Sequence, residues 1–141
     1  MSTAPVAPPS GSFNPADTVV VGKQIWMAHN LAVNMPNSFW YERDSVTNKA
    51  DGMLYFFSSA MAACPEGWHI PTDEDWQLLV NTLGGDSLAS IALQPGGSSR
   101  MNLTLPGYRS ANSPYDLFGA KGQTGYYWTS TVKAEQYAYA R

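Results

Sequence analysis

The hydrophobic positions of this chain change period along its length. In TVVVGKQIWMAHNLAV (18–33), Val19, Val20 and Val21 precede Gly22-Lys23, and Ile25 and Trp26 follow. A β-branched run, a two-residue turn signal and a second apolar run predict a β-hairpin. His29-Asn30 begins the exit from it. Residues 34–51 carry no period and read as loop, with a short strand expected at 39–42. From 52 to 63 the apolar residues Met53, Phe56, Phe57, Ala60 and Met61 fall at helical spacing, and Asp51 is the expected N-cap.

The clearest helix runs from Thr72 to Leu83. Pro71 precedes it, Thr72 and Asp75 stand three apart as in a capping box, and Asp73, Glu74 and Asp75 fill the first turn, where the helix dipole favours negative charge. Trp76, Leu79, Val80 and Leu83 form one apolar face, and Gly84-Gly85 supplies the C-cap. Beyond 85 the pattern turns β-rich. LASIAL, MNLTLPGYR, YYWTSTV and QYAYA read as short strands between PGGSS, SANSPYD and GAKGQTG. Two short helices, a small antiparallel sheet and long irregular loops make an α+β domain over 18–141. Ahead of it, residues 1–17 contain Pro5, Pro8, Pro9 and Pro15 and read as a proline-rich extended arm.

Composition narrows the function classes. The 141 residues are 13% charged, about half the usual ~25%, and 13% aromatic, a polar surface with flat rings suited to contacts with proteins and sugars. A net charge of −3 argues against nucleic acid, whose phosphates need a basic field. No segment reaches the ~18 apolar residues of a membrane span, and the first residues show no secretory signal pattern.

One stretch looks reactive. CPEGWHIPTDEDW (64–76) holds the single cysteine, a histidine and four carboxylates. A structural zinc site needs four ligands, and Cys64, His69 and His29 do not make paired spacings. A nucleophilic Cys64 would need His29 or His69 as base, and Pro65 denies it a helix N-terminus. Asp73, Glu74 and Asp75 are explained by capping. The stretch is therefore read as structural: Trp68 and Trp76 anchor the core with Trp128, Pro65-Glu66-Gly67 turns between the helices, and Thr72 caps.

The same stretch carries a resemblance. CPEGWHIPTDEDWQLLVNTLGG (64–85) is similar to the C-P-x-G-W-H-[VI]-P-[ST]-x-x-x-W signature of the Fibrobacter succinogenes major paralogous domain family. VGKQIWMAHNL (21–31), DGMLYFFSSAMAACPEGW (51–68), LPGYR (105–109) and GYYWTST (125–131) resemble its other blocks, in order. The resemblance implies a C-type-lectin-like fold and a surface-displayed binding or scaffold domain without a catalytic centre. Its members continue past the last block with two more strands and a second cysteine. Here QYAYAR (136–141) ends the sequence, so closing strands are expected to be missing and Cys64 to be a buried free thiol. A likeness to formylglycine-generating enzymes is set aside, because that activity uses two cysteines and copper.

The functional expectation is a non-enzymatic display domain with no catalytic residue, cofactor or metal. No calcium-lectin motif is present, and Asp86 and Asp116 do not make one. Ligand contacts are expected from loops 94–102 and 110–125 and from the Phe39-Trp40-Tyr41 turn, with Trp40, Tyr115 and Tyr126 as exposed rings and Asn112 and Arg109 as hydrogen-bonding groups. Arg109 also reads as a structural donor to backbone carbonyls. The expected carrier is a bacteriophage virion, as capsid decoration, spike or receptor-binding head. There residues 1–17 would contact neighbouring copies or other virion proteins in a homo-oligomer or larger assembly, and the loops a host-surface glycan or protein. The alternative is a bacterial cell-surface adhesin or carbohydrate-binding module.

Overall fold

The computed structural model describes residues 6–7, 18–110, 117–133 and 137–140. Strand β2 (Thr18–Val21) turns at Gly22-Lys23 into β3 (Gln24–Met27), pairing Thr18 with Met27 and Val21 with Gln24. On the other edge of β3 lies β1 (Val6–Ala7), antiparallel, with Val6 opposite Trp26 and Ala7 opposite Ile25. The segment expected as an extended arm thus adds a strand to its own chain's hairpin.

Successive side chains of a strand point to opposite faces, and β3 uses this to serve two cores. Trp26 enters one with Val19, Val21, Trp76, Leu79, Met101 and Tyr127. Met27 enters the other with Leu31, Met53, Tyr55, Ala60, Ala63 and Ile70. Gln24 ties the hairpin to the long helix: its Nε2 donates to the Asp75 carbonyl at 3.0 Å, and its Oε1 accepts from Trp26 Nε1 at 3.3 Å.

The expected helix over 52–63 begins later. Leu54–Tyr55 forms β5, antiparallel to β4 (Ser38–Phe39), and α1 covers Phe57–Ala63 with Phe56 as N-cap. Asp51 caps nothing; it closes a 3-10 turn, Lys49–Asp51. Pairing with β4 overrides the helical period of Met53 and Phe56. The strand expected at 39–42 stops at Phe39 and passes into a second 3-10 turn, Tyr41–Arg43. That loop is staked down from beneath. Asn48 Nδ2 donates to the carbonyls of Tyr41 and Asp44 at 2.9 and 2.8 Å. The Lys121 ammonium contacts Asn48 Oδ1 and stands 3.4 Å from Asp51.

Helix α2 (Asp73–Thr82) has the predicted termini. Asp75 N–H donates to Thr72 Oγ1 at 3.0 Å, and Thr72 N–H donates to Asp75 Oδ2 at 2.9 Å, a complete capping box. At the other end Gly84 N–H reaches Asn81 O at 3.1 Å and Gly85 N–H reaches Val80 O at 2.9 Å, the paired bonds of a Schellman motif. Gly84 takes φ +98°, open to glycine at little cost. Replacing Thr72 by alanine removes one arm of the box and is expected to lower the unfolding free energy by about 1 kcal/mol in urea titration, with no change in the far-ultraviolet helix signal of the folded protein.

The LASIAL segment is not a strand. Asp86–Ala92 is a third helix, α3. The MNLTLPGYR strand is confined to β6 (Tyr108–Ser110), which pairs with β7 (Leu117–Gly119). Strand β8 (Trp128–Lys133) pairs with β9 (Tyr137–Ala140), as the β-rich pattern at 126–140 predicts. β8 also clamps the start of α2: Ser130 N–H donates to Pro71 O at 2.8 Å, and Asp73 N–H donates to Thr131 Oγ1 at 2.9 Å. The α+β class holds, with three helices among the described residues instead of two. None of them is long and apolar enough to cross a membrane.

Candidate functional site

The reactive-looking stretch is a folding element. Trp68 N–H closes the turn onto Pro65 O at 3.1 Å. His69 Nε2 lies 2.8 Å from Asp75 Oδ2, so the histidine adds to the carboxylate that caps α2. Trp76 is buried against Trp26, with ring centroids 4.9 Å apart. Trp68 is half-buried at the margin of the second core, outside the fully packed interior expected for it.

Cys64, expected as a buried free thiol, makes no disulfide within the chain and is half-buried instead of enclosed. Burial pushes its pKa up to about 11 from 9.0. A thiolate fraction about a hundredfold below that of an exposed cysteine follows near neutral pH. Alkylation by iodoacetamide is therefore expected to be slow at pH 8 and to rise about tenfold per pH unit until close to pH 11. A plateau near pH 9 would contradict the shift.

The candidate site lies elsewhere, in a cleft of about 500 Å³ lined by Phe39, Leu54, Tyr55, Phe56, Phe57, Ser58, Arg109 and Trp128. Four segments distant in sequence build it. β4 brings Phe39. β5 and the first turn of α1 bring 54–58. β6 brings Arg109, and β8 brings Trp128. The rings brace one another: Phe39 on Phe56 at 6.1 Å, and Phe57 edge-on to Trp128 at 5.4 Å. Arg109 lays its guanidinium carbon 4.0 Å over the Phe39 ring and 5.8 Å from the Phe56 centroid, a cation–π contact. These ring contacts add to the structural role expected of Arg109.

The polar atoms of the large rings are already committed. Trp128 Nε1 donates to Tyr55 O at 2.9 Å, and the Tyr55 hydroxyl donates to Val33 O at 2.8 Å. Desolvation pushes the Tyr55 phenol to about 12, keeping it neutral. Arg109 is the one charged side chain among the described residues of the lining. The cleft can hold an apolar group against a wall of rings on which the Arg109 guanidinium is already stacked.

Of the described residues expected to meet a ligand, Arg109 lines this cleft, as does Phe39 from the Phe39-Trp40-Tyr41 turn. Trp40, expected as an exposed ring, is half-buried on the second core and lines a separate hollow of about 320 Å³ with Asn34 and Arg43. Tyr126 is half-buried and stands edge-on to Tyr108, ring centroids 6.0 Å apart. Tyr108 precedes Arg109 on β6, and alternation along the strand sends it to the opposite face. Tyr115, Asn112 and Asp116 lie outside the described residues. Loop 94–102 is pinned inward: Gly96 N–H donates to Asn102 Oδ1, and the buried Ser99 hydroxyl donates to Ala92 O. Trp128, expected as core alone, packs on the second core and also walls the cleft. Phe39 lies in the turn expected to meet a ligand, whereas the sequence reading did not single out Phe56, Phe57 and Ser58 as site residues. The signal was there: Tyr55, Phe56 and Phe57 are consecutive, and three consecutive large rings cannot share one face of a helix.

Residues 19–141 match the sequence profile of the Fibrobacter succinogenes major domain. The chain belongs to this family. The match takes in all five motif blocks, so the segments that build the cleft belong to the family domain. No curated protein and no solved structure matches the chain. Among the described residues of this Fibrobacter succinogenes major domain, no three His, Cys, Asp or Glu side chains come together as a metal-binding group.

Proposed function

We propose that the chain is a non-enzymatic surface-display domain of C-type-lectin-like fold, and that it holds its ligand in the cleft between Phe39 and Trp128. The observation that carries the reading is the cleft: a ring-lined hollow on a braced scaffold, with no carboxylate, histidine or cysteine in its described lining. General acid–base or nucleophilic chemistry needs such groups within hydrogen-bond reach of one another. The hairpin, the capped helix after the W-H-I-P turn and the strand clamped across that turn support the C-type-lectin-like assignment.

The proposed carrier is a bacteriophage virion. Supporting it, Val6–Ala7 is able to add as a strand to a hairpin edge, the geometry by which an arm joins a neighbouring subunit. A bacterial cell-surface adhesin or carbohydrate-binding module is the second reading, supported by the ring-rich lining. Immunogold labelling of virions and of cells separates the two.

The binding role itself is tested by flow cytometry of the labelled domain on intact bacterial cells, comparing the wild type with Ser58→Trp. Ser58 is exposed in the first turn of α1 at the cleft, so an indole there fills the hollow without entering the core. Binding is expected to fall at least about tenfold. Equal binding by a folded Ser58→Trp protein would sink the reading.

A further inference from the structure

Outside the cleft, one polar cluster holds an amine against an amide. Asn48 lies in the loop between β4 and β5 and is 3% exposed. Its amide is held in one orientation: Nδ2 donates to Tyr41 O at 2.9 Å and to Asp44 O at 2.8 Å, which leaves Oδ1 to face the Lys121 ammonium. Asp51 Oδ2 stands 3.4 Å from the same Nζ, on a side chain only 15% exposed. The Tyr41 ring lies 5.7 Å from Nζ and is backed by Phe118, ring centroids 5.3 Å apart.

Both partners are fixed from the backbone outward. Asp44 Oδ1 accepts from Val46 and Thr47 N–H at 2.9 and 3.1 Å, which shapes the loop carrying Asn48. Beyond β7, Ala120 turns at φ +59°, and its carbonyl accepts from Gln123 and Thr124 N–H, both at 3.0 Å. Gly122 N–H donates to Leu105 O at 2.8 Å, so Lys121 leaves a pinned turn. Groups held this way react without the entropy cost of meeting. An ordinary ion pair would draw Nζ to about 2.8 Å from the carboxylate. Here Nζ lies nearer the neutral amide than the carboxylate.

We propose that Lys121 and Asn48 join in an intramolecular isopeptide bond, with Asp51 carrying the protons. Asp51 takes one proton from the Lys121 ammonium. The freed amine attacks Asn48 Cγ, the Nζ–Cγ bond forms, and the carbonyl π electrons move onto Oδ1. Asp51 passes its proton to Nδ2 and takes a second from Nζ. The Cγ–Nδ2 bond then breaks with its electron pair going to nitrogen, and Oδ1 returns to a carbonyl. Ammonia leaves and takes the second proton from Asp51, which ends as the carboxylate it began as. The carbonyls of Tyr41 and Asp44 are aimed at the nitrogen that becomes positive, so their hydrogen bonds strengthen as the reaction proceeds. The bond forms once within the chain and has no turnover. It closes a span of 73 positions, confining the unfolded chain as a disulfide would, in a protein whose one cysteine makes none within the chain.

The test is the intact mass of the folded full chain after prolonged incubation at neutral pH, followed by tryptic mapping. The wild type is expected to fall short of its sequence mass by one ammonia. Trypsin should leave Lys121 uncut and yield a branched peptide joining residues 44–49 to residues 110–133. Lys121→Arg and Asp51→Asn should each return the full sequence mass, their folded state checked by circular dichroism. The deciding readout is taken on the wild type, so it stands even where a variant fails to fold. A folded wild type of full sequence mass, releasing residues 110–121 as a free peptide, would overturn the inference. So would an ammonia deficit that persists in Lys121→Arg, which marks an asparagine closing on its own backbone.

Discussion

Gly107→Ala is expected to lower the unfolding free energy by about 3–5 kcal/mol, enough to leave a domain of ordinary stability marginal. Gly107 directly precedes β6 with φ +71°, and a Cβ there would stand 2.2 Å from Gly119 O and 2.7 Å from Lys121 N. Both are backbone atoms, which cannot swing aside as a side chain could. The neighbouring chain is fixed as well: Gly107 N–H donates to Thr124 O at 2.8 Å, and Gly107 bridges Gly125. Gly122 provides the control. Its φ is +76°, yet nothing lies within 4 Å of its would-be Cβ, so Gly122→Ala carries the backbone strain without the collision, about 1 kcal/mol. Urea denaturation of the two variants separates the terms. Equal losses would mean that the β6–β7 approach is looser than described.

Trp26→Ala is the second large effect, about 3–5 kcal/mol. The side chain is fully buried and touches the Trp76 ring at 4.9 Å. It also donates to Gln24, whose amide holds the hairpin to α2. Removing the indole opens a cavity in the first core and frees Gln24 Oε1 at a buried position, and the two costs add. Trp40→Ala, at a half-buried ring on the margin of the second core, should cost about 1–2 kcal/mol by the same scale. Denaturant midpoints with an unchanged slope would show that stability alone has changed. A loss below about 1.5 kcal/mol at Trp26 would contradict its central place.

These contrasts follow the line between what the sequence makes legible and what it does not. The stretch 64–85 reads correctly because its interactions are local: Thr72 with Asp75, Trp68 with Pro65, Gly85 with Val80. Its pattern needs no knowledge of distant chain. LASIAL misleads for a physical reason. In α3 the small residues Ala89 and Ala92 face the core, while Leu88 and Ile91 are exposed at 59% and 67%. Large residues out and small ones in defeats any rule that follows side-chain hydrophobicity. The helix start at 57 hides behind a two-residue strand whose partner is Ser38–Phe39, a pairing that the period of 52–63 alone does not reveal.

The cleft is the least legible feature, because it exists only where four segments converge. Arg109 was visible as a polar residue in the LPGYR block, but its seat on Phe39 depends on a contact across seventy positions of chain. The aromatic loops that composition favours led instead to Trp40 and Tyr126, which face other surroundings. Composition reports how many rings a chain carries, and topology decides which of them share a wall.

A binding role for this domain depends above all on where its ligand sits. The most direct test is to titrate the isotope-labelled domain with solubilised surface extract, protein and glycan together, from the cells it binds, and to map the backbone and indole resonances that move. Shifts concentrated at Phe39, Phe56, Phe57, Ser58, Arg109 and Trp128, with His69 and Asp75 unmoved, are the result predicted. Shifts centred on His69 and Asp75 or on loop 94–102, with the Trp128 indole unchanged, would contradict it.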